Sequence, residues 1–155
     1  MSKKMKFSDF LNEILLYRGG KIPEGKTLIW YTEDQDFAKT YSHLKGDYHF
    51  HNIDADLNGL NICDVGRIEH KTTMKYLCGI LWKHSNINDE VIKRKAIKMM
   101  KDMSDNVSAD HLHQLIYKDH RFIDYMNLLN IDGIKATENK SVTYGLVKAL
   151  LPIRM

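Results

Sequence analysis

Residues 131–154 read IDGIKATENKSVTYGLVKALLPIR, and the fold turns on whether they pair as strands. Val142 to Leu150 carries β-branched and aromatic residues and runs up to Pro152, which cannot donate to a ladder, so it predicts a last strand. Ahead of it, Ile131-Asp132-Gly133-Ile134 reads as a short strand broken by a tight turn, because Asp-Gly is a turn pair. Glu138-Asn139-Lys140 reads as the loop between them. Strands at this end need partners, and the clearest strand elsewhere, Thr27–Thr32 (TLIWYT), lies near the other end.

Working outward, Leu15–Arg18 predicts a strand cut off by Gly19-Gly20. Before it, Phe7, Leu11, Ile14 and Leu15 recur at helical spacing behind Ser8 or Asp9, which predicts a short helix over 8–15. Pro23, Glu24 and Gly25 form a turn. Thr32 and Gln35 have capping-box spacing, so a helix should run from about Asp34 to Tyr41 or Ser42 and end at Gly46-Asp47. Tyr48 to Ala55 alternates as a strand, and Leu57, Leu60 and Ile62 continue into a loop. From 67 to 129 the pattern turns helical, with Met74, Leu77, Cys78 and Leu81 as one apolar stripe and Ile92, Ala96, Met99, Met100 and Met103 as another. Asn88 and Ser108 are the expected N-caps of the second and third of these helices. The expectation is one α+β domain over 1–155, with sheet-forming ends at 1–66 and 130–155 and a helical insert at 67–129.

The bulk properties narrow the class. At 18.1 kDa and 43% hydrophobic residues the chain can bury a core of its own. Cys63 and Cys78 form no CxxC pair, and both read as buried thiols in a reducing, cytoplasmic setting. Asp9, Asn12 and Glu13 interrupt the only segment placed like a signal peptide, and no apolar run is long enough to cross a bilayer. A soluble protein with no membrane partner is expected. The eight histidines, among them His49, His51, His111, His113 and His120, match no zinc spacing, so no metal is expected. A phosphate-cradling Walker loop, GxGxxG, a nucleophile elbow and HExxH are all missing from the sequence.

Four features occur in order: LYRGG at 16–20, WYTEDQDFAKTYS at 30–42, YHFHNIDADLNGLNICDV at 48–65, and IDGIKATENKSVTYGLVKALLPIR at 131–154. Together they resemble the ADP-ribosyltransferase-like domains of bacteriophages and bacterial toxins. The resemblance covers the two ends and leaves the helical middle out. It implies a split sheet built from those ends and a cleft for NAD. Arg18 matches the family's first-strand arginine, which contacts NAD, and Thr32 matches the Ser/Thr that shapes the nicotinamide pocket. Tyr41 would supply an aromatic wall. Each has a plainer reading as well: a solvated arginine closing a strand, an N-cap, and a core tyrosine. The family's catalytic glutamate position is here Thr143, and the nearest acid is Glu138, with Asp132 a weaker candidate that also suits an ordinary turn.

The chemistry asks for the same groups. Cleaving the bond between nicotinamide and ribose builds oxocarbenium character that a carboxylate stabilises, while a cation suits the pyrophosphate and aromatic faces suit nicotinamide. The resemblance therefore implies NAD-dependent transfer of ADP-ribose to a host protein or nucleic acid, with Glu138 and Arg18 as catalytic residues and Arg18, Thr32 and Tyr41 on NAD. The alternative is an inactive module of the same fold that binds RNA or a partner protein, for example a phage factor acting against a host defence in the host cytoplasm. Its surface would be the helix over 89–103, where Lys93, Arg94, Lys98 and Lys101 share an arc that is either a phosphate-binding patch or a solvated face.

Overall fold

A computed structural model of the chain describes residues 13–19, 27–44, 50–68, 72–103, 108–109, 121–138 and 140–150. Its framework is a six-stranded mixed sheet in the order β3-β1-β2-β8-β7-β4. The strands are β1 (Glu13–Gly19), β2 (Ile29–Thr32), β3 (Phe50–Asp56), β4 (Ile62–Arg67), β7 (Gly133–Glu138) and β8 (Ser141–Leu146). β2 pairs antiparallel with β8, which joins the early and late strands in the middle of the sheet. β4 runs parallel to β7, and every other neighbouring pair is antiparallel. The chain is thus mixed α+β, with a sheet drawn from both of its ends.

Two long connections supply the helices: α1 (Gln35–Leu44) between β2 and β3, and α2 (Met74–Ser85), α3 (Glu90–Asp102) and α4 (Arg121–Leu128) between β4 and β7. The second connection also holds a two-stranded ladder, β5 (Thr72–Thr73) with β6 (Ser108–Ala109). Both connections join parallel strands and step the same way along the sheet. The right-handed rule for such crossovers expects the described helices on one face, and α2, α3 and α4 share a core with Cys63, Val65, Ile134 and Ala136 on that side.

Burial follows from this layout, because alternate residues of a strand leave opposite faces. Leu28 and Trp30 of β2 and its approach, Cys63 and Val65 of β4, and Ile134 and Ala136 of β7 join the core formed with Leu77, Leu81, Ala96, Phe122 and Tyr125 of the helices. Leu16, Ile29, Tyr31, Tyr144 and Leu146 leave the other face and form a second cluster. Gly145 is required by this packing. It pairs with Trp30, and a Cβ there would lie 2.8 Å from the indole ring.

Several sequence expectations give way to stronger local forces. Glu13–Leu15 belong to β1 and not to a helix, because seven consecutive pairings with β3 outweigh the helical spacing of Ile14 and Leu15. The rest of that expected helix, the Pro23 turn and Gly46-Asp47 lie outside the described residues. α1 is capped by Asp34, whose Oδ1 accepts from the amides of Asp36 and Phe37. The Thr32 hydroxyl accepts only from the Asp34 amide. Ile62 opens strand β4, and the Asp132-Gly133 pair does not break the next strand, since β7 starts at Gly133. Asp89 caps α3 in place of Asn88, through Val91 and Ile92. Ser108 lies in β6, not at a helix start.

Candidate functional site on the second sheet face

Strand register brings polar side chains into a line that no single segment reveals. Asp64 pairs with Lys135, Lys135 with Tyr144, and Tyr144 with Tyr31. Tyr17 pairs with Thr32, so the next position on each strand sets Arg18 against Tyr31, and Arg18 in turn pairs with His51 of β3. Directly paired residues share a face. Arg18, Tyr31, Tyr144, Lys135 and Asp64 therefore form one transverse row on the face opposite α2, α3 and α4.

The row lies beside apolar neighbours that fix its side chains. On one side it borders Ile29, Leu146 and Ile62, and Leu16 and Val142 lie on the other. Arg18 is 8% exposed and its Nη1 donates to the Trp30 carbonyl at 2.9 Å. That bond anchors a buried cation at the strand junction. The Tyr31 hydroxyl accepts from the Leu150 amide at 3.1 Å. Burial pushes the Tyr144 phenol up to about 12, and the negative charges of Glu33 and Asp64 add to the shift. The Lys135 ammonium stands 5.9 Å from the centre of the Tyr144 ring, a cation–π contact. Tyr144 is thus a neutral, buried phenol beside a cation, with Glu33 and Asp64 as nearby carboxylates.

The other sequence candidates are distributed differently. Thr32 is on the strand next to Arg18, but its side chain leaves the helix-covered face. There it donates to the Val142 carbonyl at 2.9 Å. Thr143 is 4% exposed on that same face and donates to the Ala136 carbonyl at 3.3 Å. Glu138 ends β7 and pairs through its backbone with Ser141, and its side chain lies outside the described residues. Tyr41 belongs to α1, with its side chain likewise outside them. Asp132 Oδ2 accepts from the Asn61 amide at 2.7 Å, holding the approaches to β4 and β7 together. Arg94, Lys98 and Lys101 are exposed on α3, while Lys93 is half-buried and 3.5 Å from Glu90.

Arg18 is therefore aligned with four residues that sequence reasoning passed over: Tyr31, Tyr144, Lys135 and Asp64. The signal was an alternation within TLIWYT and SVTYGL, but only the β2–β8 register aligns the two tyrosines. No family model, curated protein or solved structure matches the chain. Among the described residues no group of three or more His, Cys, Asp or Glu is arranged to hold a metal ion. No described helix is long and apolar enough to cross a membrane.

Proposed function

We propose that the chain is an ADP-ribosyltransferase-like domain whose ligand, NAD, docks along the transverse row and whose activity is transfer of ADP-ribose to a protein or nucleic acid. The observation that carries this reading is the company Arg18 keeps: a guanidinium, two tyrosines and an ammonium in one line on one face. A pyrophosphate needs a cation held in a fixed position, which Arg18 offers, while Lys135, three strands away, offers a second cation for the far end of the ligand. Tyr144 offers a ring and a neutral hydroxyl to nicotinamide or ribose. The split-sheet form of the family would then be built on β1, β2 and β8. The carboxylate that steadies the oxocarbenium ion is assigned to Glu138 on the resemblance alone, since its strand position, three on from Lys135, has the parity of Ala136, pairs with Ser141 and is out of line with the row.

Titrating the protein with NAD, alongside a transfer assay with labelled NAD, tests this. Wild type should bind and label, Arg18→Ala and Lys135→Ala should weaken binding, and Glu138→Gln should keep binding and lose labelling. Failure of the wild-type protein to bind NAD at millimolar concentration would refute the reading. A second reading is favoured by Thr143, which stands buried and backbone-bonded where the family has its glutamate. In that version the scaffold binds a ligand without turning it over, and wild type and Glu138→Gln would bind alike with no labelling by either.

A further inference from the structure

α3 carries Lys93, Arg94, Lys95, Lys98 and Lys101 against only Glu90 and Asp102. The chain as a whole carries +3, so this one helix accounts for the entire net charge and the remainder of the protein is balanced. The inward side of α3 is already committed, since Ala96 and Met103 are buried and Met99 and Met100 pack against the same core. At about 100° per residue, Arg94, Lys98 and Lys101 fall within roughly 60° of one another on the opposite side, spread over about 10 Å of helix. All three are exposed. Val91 and Ile97, 59% and 46% exposed, border this stripe on either side.

We infer that the outer face of α3 is a docking surface for a nucleic-acid strand, whose phosphates are held by Arg94, Lys98 and Lys101. A protein partner would favour the reverse arrangement, with an apolar centre and a charged rim, whereas here the cations are central and Val91 and Ile97 are marginal. A membrane surface would need the apolar side of the helix, and that side is inside the core. Phosphate contacts carry no sequence information, so the surface positions a strand without reading it. It lies on the helix side of the sheet, opposite the Arg18 row, and stands independently of the NAD reading.

The test is fluorescence anisotropy with a labelled 20-nucleotide uridine oligomer, at 50 and 200 mM salt. Three phosphate contacts on a single strand give a slope near −2 in log affinity against log salt, so binding should weaken about 18-fold across that range. The triple variant Arg94→Gln/Lys98→Gln/Lys101→Gln changes only exposed side chains, and it should lose at least tenfold at low salt along with most of the salt dependence. Lys140→Gln/Lys148→Gln, on the exposed ends of the β8 hairpin, should bind like wild type. A triple variant equal to that control would overturn the inference. So would tighter binding of polyglutamate of the same charge than of the oligomer, since that would mark α3 as a surface for an acidic protein.

Discussion

Asp34 ties the two ends of the sheet to the first helix, and removing its carboxylate should show how much that tie is worth. Oδ1 accepts from the Asp36 and Phe37 amides at 3.0 and 3.1 Å, while Oδ2 accepts from the Ser141 hydroxyl at 2.9 Å. The cap should contribute about 1 kcal/mol. Ser141 is 6% exposed, so losing its partner should cost about another 1 kcal/mol. Asp34 itself is exposed and its charge is screened, so no separate Coulombic contribution is added. Asp34→Ala should then cost about 2 kcal/mol, or roughly 4–8 °C in Tm for a chain of this size. Ser141→Ala should cost about 1 kcal/mol, and the double variant about 2 kcal/mol, giving a coupling of about 1 kcal/mol in urea unfolding. Hydrogen bonds from Phe37 and Ser141 hold the Asp34 carboxyl below its ordinary 3.8. The folded state therefore binds its proton less readily than the unfolded state, so its stabilisation is complete above that value and fades as pH falls through the lower folded value. The gap between wild type and Asp34→Asn should close in acid. Strict additivity of the two alanine variants would refute the coupling, and a gap that widens in acid would refute the sign.

Other perturbations probe separate contacts. A Cβ at Gly133 would collide with the Leu146 side chain and lie 3.0 Å from the Gly145 carbonyl oxygen, so Gly133→Ala should cost about 1–3 kcal/mol in denaturant unfolding. Tyr125 donates to the Cys78 carbonyl at 3.0 Å inside the core, and Tyr125→Phe should cost about 1 kcal/mol by the same measurement. Burial pushes the Cys63 thiol up to about 11, with Asp64 adding to the shift. The unfolded thiol ionises first as pH rises, so stability should fall from about pH 9 upward, and Cys63→Ala should flatten that fall. Asn61 donates to the Asn130 carbonyl at 2.8 Å and bonds His84 Nε2 at 2.7 Å through its Oδ1. Asn61→Ala should therefore speed amide exchange at the starts of β4 and β7 relative to β1, and uniform exchange across the sheet would count against a local clamp.

The sheet was legible where composition is strong. TLIWYT marked β2, and SVTYGL marked β8 within a strand drawn too long. α2 and α3 were legible too, because their apolar stripes keep a 3.6-residue period. β4 was hidden because ICDVGR places Asp64 and Gly66 in the strand, with a bulge between them and a positive φ of 76° at Gly66. The Thr32–Gln35 spacing misled because Asp34, two residues on, caps the helix itself by accepting from the Asp36 and Phe37 amides. Of the candidate row, Arg18 stood out in the sequence through the glycines after it. Tyr144 and Lys135 did not, since they fall into line with Arg18, two and three strands away, only through cross-strand pairings that no local pattern encodes.

The seam between β2 and β8 also sets a clock for the molecule. Thr32 and Val142 meet across 110 residues of sequence. At a translation rate of about 5–20 residues per second, β2 waits roughly 5–20 s for its partner to be synthesised. For that interval the nascent chain offers a bare strand edge to any other extended polypeptide, the exposure that invites aggregation. Slow codons placed between the two strands would lengthen the wait, and expression yield should fall as they do.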